Sequence, residues 1–142
     1  MATAHIRPRG TIVPVHAVLL ASSLPLFVGT LLADWAYSST YEVQWLNFAA
    51  WLIVGAMVCL GFALLWAAIE LLRSGISRDR TGLGYVLALL ATFVLGFVNA
   101  LVHAKDGWAT MPTGLVLSLI VAILAGACVW AGFSTLRPEP AR

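Results

Sequence analysis

Four apolar runs, at about residues 14–37, 45–72, 83–103 and 114–135, leave room for little else in this chain. Each is close to the roughly 20 residues that a helix needs to cross a hydrocarbon core about 30 Å thick. Lipid offers no partner to a backbone N–H or C=O, so only helices and closed barrels span it, and these runs lack the alternation of barrel strands. The pattern predicts an all-α fold: an integral membrane four-helix bundle whose neighbours run antiparallel, up and down, through short connections. Composition agrees, because a chain that is 61% hydrophobic and 10% charged is too apolar for a water-soluble domain.

Basic residues give the bundle a direction. Arg7 and Arg9 precede the first run, Arg73, Arg78 and Arg80 lie around the second connection, and Arg137 and Arg142 follow the fourth run, with Lys105 alone on the other side. The positive-inside rule then predicts N-in/C-in, with cytoplasmic tails at 1–13 and 137–142 flanking a transmembrane domain at 14–136. The net charge of +2 is accounted for by topology and gives no nucleic-acid patch. Arg7 and Arg9 resemble the basic start of a signal peptide, but the run after Pro14 is long and contains His16 and Asp34, so it reads as a retained span. Cys59 and Cys128 fall within spans and have no metal-motif neighbours, which suits packing.

Trp35, Tyr37, Tyr41, Trp45 and Trp108 gather at the outer boundary, as an interfacial aromatic belt does. "FVGTLLADWA" from Phe27 is echoed by "FVNALVHAKDGWA" from Phe97, and "CLGF" from Cys59 by "CVWAGF" from Cys128. Such an echo fits a tandem repeat of two helical hairpins related by an axis along the membrane normal; chance accounts for it about equally well.

The polar residues inside the spans fall into stripes. His16, Ser23, Thr30 and Asp34 share one face of the first helix, and Thr92, Gly96, Asn99 and His103 share one face of the third. Polar groups are costly against lipid, so both stripes are predicted to face the interior. Gly114, Ser118, Ala122 and Gly126 form a seam of small residues for close helix approach in the fourth.

Depth sorts the ionisable residues into two groups. The outer cluster is Asp34, Asn99, His103, Lys105 and Asp106 beside Trp108, and the inner group is His16, Glu70 and Trp66. Asp34, His103 and Asp106 offer a nitrogen and two carboxylates to a divalent metal, weighed against simple pairing of Asp34 with Lys105 or His103. A haem b would need two axial ligands at one depth, whereas His16 and His103 stand about 25–30 Å apart along the helices. Either group offers a polar tip and aromatic walls to a quinone or a lipid headgroup. Hydrolysis lacks a nucleophile elbow, and a proton path lacks an ionisable residue at mid-depth.

The segments "PVHAVLL" with "PLFVGTLLADWAY", "YEVQWLNFAAWLI" and "GFVNALVHAKDGWATMPTGLVLS" resemble a bacterial family of small four-helix inner-membrane proteins classed as a domain of unknown function. The resemblance runs from about Val13 to Leu136. More distant branches carry a fuller His-Pro and Val-His-Phe-Pro pattern, of which only His16 and Pro25 stand here. Some relatives resemble fusions to Rieske-type domains or neighbour quinoprotein sugar dehydrogenases, which implies a multi-pass protein of the bacterial inner membrane near electron transfer.

The expectation is a non-enzymatic accessory or anchor subunit for a membrane or periplasmic redox protein, with a quinone as a candidate small ligand. A haem- or metal-binding electron carrier is the alternative, and a small transporter the third. No resident cofactor is expected. The bilayer is the certain partner, and a homo-oligomer is compatible with the sequence.

Overall fold

The structure is a computed structural model that describes residues 14–74, 80–105 and 107–134. Four long helices dominate: α1 (Pro14–Thr40), α2 (Val43–Ser74), α3 (Arg80–His103) and α5 (Thr113–Ser134), with a single turn, α4 (Gly107–Thr110), between the last two. All four are long and apolar enough to cross a membrane. The four expected helices are present, and α1 and α2 reach further into the first connection than residues 37 and 45. Asp106 and both tails lie outside the described residues.

Pro14 opens α1, where its missing N–H costs nothing. Tyr41 ends it in the left-handed region at φ 56°, with its N–H donating to the Tyr37 carbonyl at 2.8 Å. That conformation costs a non-glycine residue on the order of 1–2 kcal/mol, and an edge-to-face contact with Tyr37 at 6.1 Å offsets part of it. The chain then turns straight into α2: the Glu42 N–H donates to Thr40 Oγ1 at 3.3 Å, and the Glu42 carbonyl accepts from the Trp45 N–H at 3.0 Å.

Each long helix packs on two neighbours, α1 and α3 both against α2 and α5, so α1 and α3 stand on one diagonal of a square bundle and run in the same direction. The buried faces follow the stripes. On α1 they are His16, Leu20, Ser23, Phe27, Thr30, Ala33, Asp34 and Tyr37; on α3, Leu89, Thr92, Gly96, Asn99, Val102 and His103. Every buried residue of α3 lies the same number of positions, 69, after a buried residue of α1. The other diagonal also keeps a constant offset, through Ala49/Gly114, Ile53/Ser118, Ala56/Val121, Leu60/Ala125, Ala63/Cys128 and Ala67/Gly132.

This register differs from the one that equal letters suggest. Phe27 is buried, whereas its echo Phe97 is 54% exposed, because those letters are offset by 70 and the extra residue turns the side chain about 100° around its helix.

Buried hydroxyls are accommodated by their own helices. Ser23 donates to the Leu20 carbonyl at 2.7 Å, Thr30 to Leu26 at 3.0 Å and Thr92 to Ala88 at 2.8 Å, which leaves little polarity to satisfy elsewhere. Around them Leu20, Phe27, Leu60, Leu89 and Val121 form the apolar core. Gly96 makes room for it: a Cβ there would stand 2.7 Å from Met57 Sδ and 3.5 Å from Phe27 Cζ.

Candidate functional site

Asp34 ends the buried stripe of α1 and His103 ends that of α3, and the parallel register brings them face to face across the diagonal. His103 Nε2 lies 2.8 Å from Asp34 Oδ1, with both side chains essentially inaccessible. On the far side of the ring, His103 Nδ1 lies 2.9 Å from the main-chain carbonyl of Asn99, one turn earlier. From α5, Ser118 Oγ donates to Asp34 Oδ2 and accepts from the Asn99 amide at 2.9 Å. Three helices meet in four side chains.

The proton inventory follows from this wiring. A carbonyl only accepts, so Nδ1 carries a hydrogen. One further proton then lies between Nε2 and Oδ1, and wherever it resides the pair has no net charge. That neutrality lets a carboxyl group with no solvent exposure persist in an apolar bundle.

Gly114 completes the arrangement. A Cβ there would stand 3.1 Å from His103 Cε1 and 2.8 Å from Thr110 Cγ2, so any larger residue on α5 would force the imidazole and the Thr110 methyl to shift. Thr110, in the short turn α4, donates to the Val102 carbonyl at 3.4 Å and covers the same end of the bundle.

The residue types of a serine hydrolase meet here in a different order. A nucleophilic serine needs its hydroxyl bonded to the imidazole, which the carboxylate orients from behind. Here the carboxylate is in the middle and the hydroxyl bonds to it, so the imidazole is not placed to take a proton from Ser118.

At the opposite end His16 Nε2 contacts the Tyr85 hydroxyl at 3.1 Å, again between α1 and α3. Gly132 of α5 lies close beneath this contact, where a Cβ would be 3.0 Å from the Tyr85 oxygen. His16 Nδ1 is buried without a hydrogen-bond partner, as is Asn99 Oδ1 at the other end. Glu70 and Trp66 are exposed on α2.

The structure thus unites Asp34, Asn99 and His103 and leaves Lys105 exposed just past α3. Asp106, the third member of the expected metal set, lies outside the described residues, and Trp108 belongs to α4. Both nitrogens of His103 are already bonded within the protein. Among the described residues no three His, Cys, Asp or Glu side chains group as metal ligands.

Sequence reasoning assigns Ser118 to helix packing and passes over Tyr85. Both leave a signal. Ser118 is the one hydroxyl in its small-residue seam, and Tyr85 stands as far after His16 as His103 does after Asp34.

A family profile described as "Predicted membrane protein (DUF2231)" matches residues 12–136. The chain belongs to the DUF2231 family. The match takes in all four spans and both polar ends, so the buried Asp34–His103 pair and the His16–Tyr85 contact lie within the family domain. No curated protein and no solved structure matches this DUF2231 chain.

Proposed function

We propose that this DUF2231 protein is a non-catalytic anchor or accessory subunit for a redox protein at the bacterial inner membrane, with both termini in the cytoplasm. The observation that carries the non-catalytic part is the mutual pairing of His103, Asp34 and Ser118. Both nitrogens of His103, both oxygens of Asp34 and the hydroxyl of Ser118 are used within the protein, as a clamp between helices requires and a catalytic centre does not. The redox nature of the partner rests on the family resemblance alone, in which some relatives look like fusions to Rieske-type domains, and a quinone shared with that partner is the small ligand this reading admits.

Crosslinking within native membranes, followed by purification in mild detergent, tests the reading. The expected product is a complex whose partner carries a redox centre visible by absorption; a chain that remains uncrosslinked to any such protein would sink it. For the sides, cysteines replacing Ser39 and Thr81, in a background lacking Cys59 and Cys128, should be labelled from outside at position 39 and spared at 81.

One observation favours a second reading, a haem- or metal-binding electron carrier: His16 is a buried histidine with one ring nitrogen outside normal hydrogen-bond geometry. His103 has no such nitrogen and stands about 27 Å away along the helices. An absorption spectrum with metal analysis decides between the readings. A chromophore lost in His16→Ala and kept in His103→Ala would replace the accessory reading with the carrier.

A further inference from the structure

The start of α2 carries a groove of about 340 Å³ lined by Glu42, Gln44, Trp45 and Phe48. All four side chains are exposed, Trp45 by 43% and Phe48 by 54%. The main chain of Glu42 is held by its bonds to Thr40 and Trp45, which keeps the residue at the rim of the groove.

Polarity falls along this groove. A carboxylate and a primary amide stand at its outer edge, an indole follows, and a phenyl ring lies one turn further along α2 toward mid-span. From Val43 to Phe48 the helix rises about 7.5 Å, the depth of one headgroup layer. A phospholipid carries the same order of chemistry: charged groups outside, then esters, then hydrocarbon.

The sign of the charge narrows the choice of lipid. An ionised carboxylate only accepts hydrogen bonds, and the Gln44 carbonyl adds a second acceptor. The face of an indole attracts a cation, and its N–H is a donor suited to a phosphate oxygen. A primary ammonium with three donors matches this set in charge and in donors, a quaternary ammonium matches only the ring, and a glycerol headgroup brings hydroxyl donors but no cation for the carboxylate or the ring.

We propose that the Glu42–Gln44–Trp45–Phe48 groove binds phosphatidylethanolamine, with the ammonium on Glu42 and Gln44, the headgroup against Trp45 and an acyl chain along Phe48. This site is independent of any protein partner.

Native mass spectrometry of the full chain in detergent tests it, using phosphatidylethanolamine, phosphatidylcholine and phosphatidylglycerol with identical acyl chains. The ethanolamine lipid should be retained about three- to fivefold over the glycerol lipid, the scale of one exposed ion pair with a cation–π contact. Glu42→Gln should erase that preference, while Trp45→Ala should lower ethanolamine and choline lipids together and Trp45→Phe should restore part of the loss. Equal retention of ethanolamine and glycerol lipids by the unaltered chain overturns the proposal, as does a Glu42→Gln chain that keeps the preference. Should Glu42→Gln fail to fold, Gln44→Leu weakens the same acceptor set, and an unchanged preference there overturns the proposal equally.

Discussion

The two ends of the α1/α3 diagonal are built from similar parts and finished differently. At one, Asp34, His103, Ser118 and Asn99 satisfy one another almost completely; at the other, His16 meets Tyr85 through a single contact and one ring nitrogen has no partner. Both ends contain a buried histidine, so burial of an imidazole alone does not dictate a network. A carboxyl group is what makes the difference, since it can be buried only where donors and a shared proton neutralise it.

Truncation should expose this contrast most strongly. Asp34→Ala leaves His103 and Ser118 facing an empty position and is expected to cost about 3–5 kcal/mol, as loss of one partner of a buried pair does. His16→Ala at the other end should cost about 2 kcal/mol or less, and reversible unfolding in mixed micelles measures both. Equal losses would end the distinction between the ends.

A subtler substitution reads the proton. Asn at position 34 offers an amide N–H to Nε2 of a neutral His103 and a carbonyl to Ser118, replacing the shared proton without adding charge. Asp34→Asn should therefore cost at least about 2 kcal/mol less than Asp34→Ala. If the two variants unfold alike, the pair depends on formal charges that the amide lacks.

Gly114→Ala is expected to displace the His103 ring at a cost of about 1–3 kcal/mol, visible as a shifted imidazole resonance as well as lowered stability. Ser118→Ala should fall in the same range, because it leaves the Asn99 amide and Asp34 Oδ2 each one bond short. The smallest effect belongs to Tyr41→Gly, where relief of the left-handed backbone and loss of the Tyr37 contact should cancel to within about 0.5 kcal/mol.

Much of this is legible in the sequence because the membrane leaves few choices. Length and apolarity set the four spans, and the 3.6-residue period alone puts His16, Asp34, Asn99 and His103 on interior faces. The pairing of Asp34 with His103 is one of several alternatives that the sequence leaves open, since spacing within a helix says nothing of which neighbour a face meets. Ser118 is hidden for that reason: it reads as packing on α5 until Asp34 is known to lie opposite. The bundle's layout, with α1 and α3 on a diagonal, depends on packing between helices that a single sequence does not encode at any one position. The lining of the lipid groove is in view only as an aromatic boundary, because Trp45 is conspicuous there and the turn that sets Glu42 beside it is not.

The constant offset between α1 and α3 has a mechanical side. Two parallel helices whose inward residues match layer by layer behave like screws cut with one thread. Adding a single residue to α1 between Leu20 and Phe27 would leave His16 against Tyr85 but turn everything beyond it by about 100°, carrying Asp34 out of the bundle and into lipid. An insertion within α1 is therefore costly in proportion to what it turns outward, and the buried carboxyl group is what makes it so.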